Sequence, residues 1–465
     1  MKKKYKNIKQ RILNVLFWSI ISAAFIGPGT VATMSKAGVY FHYDLMWTIV
    51  FSIIACLVLQ EASARIAIYS GMNLGAAIAK TFANKSYKLL IFVLIIGAIV
   101  LGSAAYETGN ILGSVEGIKF IFKKVLKYYF VLGIGIVVYF AFRMKSIRTV
   151  AQILGGFVYL MGIAFVLTAI FLKPNVTQMA RGLFIPTIPD IPGAGILLLG
   201  IIGTTVVPYD LFLGSSIVDK TQTIREARLG LSIAIILGGI ISMSIMTVGS
   251  AITEGWPAQA YEQLDFNFGL IKDSLYLINS DVINNLAVYI FGFGMFAAGF
   301  TSSITAPLAS ALTAKSIFNG SEEKWSSKSL NFQLIVTGIL LVGLTFGILQ
   351  IKPVPAIIIA QALNGFILPF VSIFMILIVN DPNIMKEKIN SHLSNILMTF
   401  VVLITLLIGT LNVLKAFEKV FKFSIENQDM LFTGLFIVNL LISLAILFMV
   451  YKRRAKLATA TKNEG

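Results

Sequence analysis

The residues Gly27-Pro28-Gly29-Thr30 and Val206-Val207-Pro208-Tyr209-Asp210 each interrupt a long apolar run at mid-depth. A helix in lipid cannot leave backbone groups unpaired unless they face a cavity, a ligand or protein. Proline removes a donor and disrupts the turn before it, and glycine loosens the turn around it. Two kinks in packed helices would explain either break taken alone. Interrupted segments at matching places in two halves of a chain point instead to the substrate site of a secondary transporter.

The composition agrees with a membrane chain. Of 465 residues, 57% are hydrophobic and 13% charged, and the mean hydropathy is +0.86. A soluble protein would carry roughly twice that charged fraction. Runs of about 20 apolar residues, each enough for a bilayer core, recur along the whole length. They predict an all-α integral membrane protein with twelve spans, near 14–40, 44–70, 88–118, 125–142, 149–172, 194–219, 229–253, 284–315, 331–351, 353–379, 394–415 and 431–452. The implied organisation is a basic tail over 1–13, a ten-helix core over 14–379, two further helices over 394–452 and a tail over 453–465.

The net charge of +17 does not indicate a nucleic-acid partner. Its cations cluster at Lys2-Lys3-Lys4, at Lys80, Lys85 and Lys88, at Arg143, Lys145 and Arg148, at Lys220, Arg225 and Arg228, and at Lys452-Arg453-Arg454. With the N-terminus inside, all of these fall on the cytoplasmic side of a plasma membrane, and so does the C-terminus. The acidic segment 254–281, with Glu254, Glu262, Asp265, Asp273 and Asp281, falls outside. Lys119, Lys123, Lys124 and Lys127 would also lie outside, against the rule, and the other loops outvote them. The first 13 residues lead into a span too long for a signal peptide core. Cys56 is the single cysteine, so neither an internal disulfide nor a thiolate metal site can form. No Ser/His/Asp set fits the membrane interior and no Gly-Lys-[Ser/Thr] phosphate loop occurs, which disfavours an enzyme or an ATP-driven pump.

The breaks lie in spans 1 and 6, five spans apart. An odd number of spans per repeat inverts the second half relative to the first. That is the leucine-transporter-type arrangement, five plus five, with discontinuous helices 1 and 6 and the substrate between their unwound turns.

Several stretches also resemble one family. Gly27-Pro28-Gly29-Thr30-Val31-Ala32-Thr33 with Ala37-Gly38 resembles the Asp-Pro-Gly-Asn-x-Ala-Thr…Ala-Gly stretch of the Nramp (SLC11) proton-coupled metal transporters. Val207-Pro208-Tyr209-Asp210-Leu211-Phe212-Leu213 is similar to that family's Met-Pro-His-Asn-x-Phe-Leu. Gln60 to Gly71, Asn110-Ile111-Leu112-Gly113, Ala297 through Ser303, and Gln361 through Leu368-Pro369-Phe370 agree with it too. The resemblance covers at least spans 1 to 10 and is specific for the fold.

It also implies a metal site that this chain departs from. In the family the aspartate and asparagine of the first motif, the methionine of the second and a backbone carbonyl hold a transition metal. Those positions are Gly27, Thr30 and Val207 here, and the histidine position is Tyr209. A divalent cation needs strong donors to offset dehydration, and a soft ligand helps select manganese or iron. Magnesium-carrying relatives keep the aspartate, so its loss argues against magnesium as well.

The residues left at the breaks suggest another substrate. The half-helices beginning near Thr30 and Tyr209 present free N–H groups and positive dipole ends, a natural anion site once the carboxylate is gone. Gly27, Gly29 and Val207 would offer backbone, and Thr30, Thr204, Thr205 and Tyr209 hydroxyl donors. Lys36, about 9 Å along the helix from Thr30, would hold positive potential on the path. The expected substrate is therefore a small inorganic anion. Bicarbonate is the favoured one, because a divergent bacterial branch of Nramp-like proteins is associated with inorganic carbon uptake.

Asp210 cuts against this. It can be a migrated metal ligand, acting with Thr30. It can be a proton or sodium site that balances a co-transported anion. It can also pair structurally with Lys36 or another cation. Charges at bilayer depth are costly and usually functional. Glu107 aligns with a family acidic residue linked to proton movement, while the neighbouring family glutamate is Asn110, so the expected route, with Gln361 beside it, is thinned. Glu61 and Arg65 have the i,i+4 spacing of a structural pair. His42 and Asp44 are expected to be solvated, and with His392 the only other histidine, no histidine cluster can form. The expectations are thus no cofactor, H+ or Na+ as coupling ion, and a monomer. The alternatives are a proton-coupled divalent-metal transporter with a rearranged site, and a transport-inactive membrane sensor.

Overall fold

The computed structural model describes residues 8–82, 88–122, 127–144, 146–189, 194–218, 222–255, 266–277, 281–318, 324–349, 353–421 and 428–463. Lys2, Lys3, Lys4, Lys85, Lys145, Lys220, Lys123, Lys124, Glu262 and Asp265 lie outside them, so part of the charge argument has no structural counterpart. Among the described residues there are helices and no strands.

A helix falls on each of the twelve apolar runs. The first run is two helices, Ile8–Phe25 (α1) and Pro28–Phe41 (α2). Met46–Ser70 (α3) follows and ends on Gly71, whose φ of 69° is the left-handed cap glycine tolerates. Leu74–Thr81 (α4) is capped by the Asn73 side chain, which accepts from Ala76 N–H. Next come Lys88–Ile121 (α5), Lys127–Ala141 (α6), Ile147–Phe171 (α7) and Val176–Phe184 (α8). The sixth run is again two helices, Ala194–Thr205 (α9) and Pro208–Ile217 (α10). Ile224–Ile252 (α11), Phe268–Leu277 (α12), Asp281–Ile317 (α13), Leu330–Ile348 (α14) and Pro353–Ile378 (α15) follow. Pro382–Met385 (α16), a short 3-10 turn, His392–Phe421 (α17) and Gln428–Asn463 (α18) complete the order. The short helices α4, α8 and α12 had no counterpart among the predicted spans, because they are too short to register as apolar runs.

Nine of these segments are long and apolar enough to cross a membrane among the described residues, and two bent pairs raise that to 11. The 15-residue α6 is a shorter apolar helix. At the first break the chain turns by 62° between α1 and α2. The sixth run bends less and reads as one 21-residue span from Leu197 to Ile217. A further bend of 67° follows α15, at Pro382, where no break was expected.

Both breaks have the same local cause. A residue before proline is pushed out of the helical region, and proline is well placed as the first residue of a new helix. Gly27 is extended (φ −108°, ψ −176°) before Pro28, and Val207 (φ −99°, ψ 125°) is extended before Pro208. The halves then pack closely. α2 lies on α11, α1 on α7 and α11, and α5 on α13. A Cβ at Gly38 would overlap the Met246 carbonyl, and one at Gly249 the Ser35 carbonyl, so α2 and α11 meet backbone to backbone.

Candidate functional site

Breaking α1 from α2 frees the last carbonyls of α1, and each must find a donor in the core. Three hydroxyls supply them. Ser302 Oγ of α13 donates to the Ala23 carbonyl at 3.0 Å. Tyr209 Oη of α10 donates to the Ala24 carbonyl at 2.8 Å. Thr30 Oγ1 of α2 reaches back to the Phe25 carbonyl at 2.5 Å. The hydroxyls expected to face an anion are therefore largely engaged by backbone. Thr205 belongs to this correction too, since its hydroxyl bonds the Ile201 carbonyl one turn back at 2.9 Å.

The two breaks are also tied directly. Thr30 Oγ1 and Thr204 Oγ1 lie 3.0 Å apart. From the other side, Gln361 of α15 donates to the Gly29 carbonyl at 3.1 Å and to Thr33 Oγ1 at 2.7 Å. A Cβ at Gly29 would meet Gln361 Nε2 at 3.2 Å and Thr204 Oγ1 at 3.5 Å. Gly29, Thr30, Thr33, Thr204 and Gln361 thus form one cluster, and all are buried. Gly203 is buried as well, yet a Cβ there would meet no atom within 4 Å. The helices α2 and α10 begin at Gly27 and Val207 with no side-chain cap.

At Gly27 the room for a larger side chain is taken. A Cβ there would sit 2.9 Å from Ser302 Oγ and 3.5 Å from Asn110 Oδ1. The position is refilled by neutral polar groups, and it is not simply vacated.

Two carboxyls are sealed into this core. Asp210 Oδ2 accepts from Gln60 Nε2 of α3 at 2.9 Å, and Glu107 Oε2 accepts a long 3.4 Å bond from Asn110 Nδ2. Asp210 is 1% exposed and Glu107 0%. The second oxygen of each has no hydrogen-bond partner among the described residues. The chain neighbours of these carboxyls, Tyr209 and Tyr106, meet edge-on with ring centroids 6.0 Å apart. Neither Asp210 nor Glu107 forms an ion pair among the described residues. The pairing of Asp210 with Lys36 is not formed. Lys36 is half-buried over the Tyr40 ring, 5.6 Å from its centroid. Asp210 and Thr30 likewise share no hydrogen-bond partner, the one facing α3 and the other α1 and α9.

Away from the breaks, Glu61 and Arg65 do pair, at 3.3 Å, and Arg228 joins them. Asp44 is exposed as expected, but His42 is half-buried with Nδ1 3.3 Å from Ser250 Oγ. No group of three or more His, Cys, Asp or Glu gathers among the described residues. Ser302, Gln60 and Thr33 were missed as site residues. All three lie in the stretches that carried the resemblance, and Thr33 also sits one helical turn after Gly29, which was the available signal.

Known proteins match along most of the chain. Residues 19–415 match the family described as Nramp, natural resistance-associated macrophage protein-like. The divalent metal cation transporter MntH of Yersinia pestis (strain Pestoides F) is 23% identical over 86% of this chain and 93% of its own length. Among solved structures, the manganese transporter of Eremococcus coleocola superposes with a TM-score of 0.70 at 17% identity, covering 98% of this chain and 97% of that one. MhsT in complex with L-phenylalanine gives 0.60 at 13% identity, covering 90% and 100%. Mhp1, a nucleobase-cation-symport-1 transporter, gives 0.54 at 15% identity, covering 94% and 92%.

Proposed function

The chain belongs to the Nramp family, a multi-pass membrane transporter with the leucine-transporter-type fold, and from that premise we propose that it carries a divalent metal cation together with protons. It is a secondary transporter and not an enzyme. The bicarbonate expectation loses ground here, because the relatives it matches are named for divalent metal cations and manganese.

One observation supports the cation reading most. Asp210 and Glu107, both buried, are chain neighbours of Tyr209 and Tyr106, whose rings meet edge-on at 6.0 Å, and neither carboxyl forms an ion pair among the described residues. Two carboxyls in one core let one hold a proton while the negative charge of the other faces a doubly charged ion nearby. The dipole argument for an anion counted only the helix ends and omitted this charge.

The donor set sets the style of binding. The Thr30 and Thr204 hydroxyls, the Gln361 amide oxygen and the carbonyls of Ala24 and Phe25 are neutral oxygens. Such a set suits a hard cation that keeps part of its hydration shell, with the carboxylates one layer out. The hydroxyls that now cap Ala24 and Phe25 would turn away as the ion takes over those carbonyls. On the charge pattern of the sequence, the protein sits in the plasma membrane with both termini cytoplasmic.

A small inorganic anion remains a second reading on one ground. α2 and α10 start in the core without side-chain caps, and such N-termini attract anions. Proteoliposomes separate the two. Quenching of a trapped metal-sensing dye by external Mn2+ is the expected result. Bicarbonate-dependent alkalinisation with no metal flux would overturn the cation reading in favour of the anion.

A further inference from the structure

A second polar feature lies outside the transport site. α3, α11 and α17 enclose a slot of about 280 Å³ lined by Leu57, Val58, Leu231 and Leu397 and by Glu61, Arg65 and Arg228, with Ser232 and Ser394. Its polarity runs along the helices. Arg65 is about 7 Å from the end of α3, Arg228 about 6 Å from the start of α11 and Ser394 about 3 Å from the start of α17, at 1.5 Å per residue. Leu57 and Val58 lie about 11 Å deeper than Arg65 on the same scale. The slot is polar at one membrane surface and apolar towards the middle.

Its charge is unbalanced. Glu61 Oε1 accepts from Arg228 Nε at 3.0 Å and from Arg228 Nη2 at 2.7 Å. Glu61 Oε2 faces Arg65 Nε at 3.3 Å. One carboxylate thus serves two guanidiniums, leaving a net charge of about +1. Arg65 is held inward by Asn390, and its side chain is 9% exposed, whereas that of Arg228 is 56% exposed and free to take a further acceptor.

We infer that this slot binds one anionic phospholipid, its phosphodiester on Arg228 and the serine hydroxyls and an acyl chain along Leu57, Val58, Leu231 and Leu397. A phosphodiester supplies the single missing negative charge. Guanidinium and phosphate match in a two-pronged hydrogen bond. The depth of the polar end is that of lipid headgroups, where basic residues near helix ends attract anionic lipid. A free phosphate would satisfy Arg228 and leave the apolar wall unused. Gln60, which holds Asp210, is the neighbour of Glu61 on α3, so occupancy stiffens the helix that positions the buried carboxyl.

Native mass spectrometry of the full-length protein, released from nanodiscs of phosphatidylglycerol and phosphatidylcholine, tests this. One phosphatidylglycerol should be retained per chain in at least tenfold preference to phosphatidylcholine. Arg228→Glu should abolish that preference, and 10 mM inorganic phosphate should not displace the lipid. Leu397→Trp, which blocks the apolar half and leaves every charge in place, should also release it, and covers the case in which Arg228→Glu does not fold. Equal retention of both lipids, retention unaffected by either substitution, displacement by inorganic phosphate, or a dimer mass in place of the lipid adduct would each overturn the inference.

Discussion

The Tyr209 hydroxyl of the second broken span donates to the Ala24 carbonyl of the first at 2.8 Å, so each break is completed by the other. The carbonyl is left over because Pro28 cannot continue the helix that ends at Phe25. The ring of Tyr209 also meets that of Tyr106 edge-on at 6.0 Å, and the two tyrosines are the chain neighbours of the buried Asp210 and Glu107.

Tyr209→Phe keeps the ring and removes the donor, leaving a buried carbonyl unpaired at a cost of about 1–3 kcal/mol. The variant should melt several degrees below the parent in detergent and carry the ion more slowly. An unchanged melting temperature together with unchanged uptake would show that the bond contributes nothing.

Asp210→Asn and Glu107→Gln remove one buried carboxyl each while keeping shape. Each should uncouple. Downhill metal flux should fall only a few-fold, but an inward proton gradient should no longer accelerate it. The parent should speed up as the outside is acidified, since the driving proton enters with the ion. Gradient dependence in both variants equal to that of the parent would remove these residues from coupling.

Gly27→Asp cannot simply restore the ligand that the resembled family carries there. Its Cβ would press on Ser302 Oγ and displace the bond that caps Ala23. The single variant should lose thermal stability, and adding Ser302→Gly should recover part of it. Equal stability of Gly27→Asp and the parent would show that the room is there after all.

Val207 offers no sulfur, so a soft cation gains nothing at this site. Cadmium should compete with manganese uptake no better than its charge and size allow. Val207→Met should lower the half-inhibitory cadmium concentration by about tenfold, roughly 1.4 kcal/mol. The same inhibition curve for both proteins would show that a side chain at position 207 does not reach the bound ion.

Much of the fold was legible in the sequence because lipid imposes a simple rule. A helix needs a sustained apolar run, and Gly27-Pro28 and Val207-Pro208 are unmistakable interruptions within two of them. The site was legible in its location and not in its wiring. Nothing in the residue pattern says that Thr30, Thr205 and Tyr209 direct their hydroxyls to backbone carbonyls. Nor does it say that Asp210 turns to Gln60, 150 positions away. Both depend on which helix faces which, and that is decided by contacts such as Gly38 on Met246. Nor does the residue pattern say that the Lys36 ammonium lies over the Tyr40 ring one turn on in the same helix and makes no pair with Asp210.

The central claim is that the buried charge of Asp210 and Glu107 supports a divalent cation and couples its entry to that of protons. Simultaneous recording of Mn2+ entry and internal pH in proteoliposomes addresses it most directly. The parent should show both signals rising and saturating together, and the Asp210→Asn/Glu107→Gln double variant should lose the pH signal and most of the metal entry. Metal entry and pH change that persist unaltered in the double variant would contradict the account.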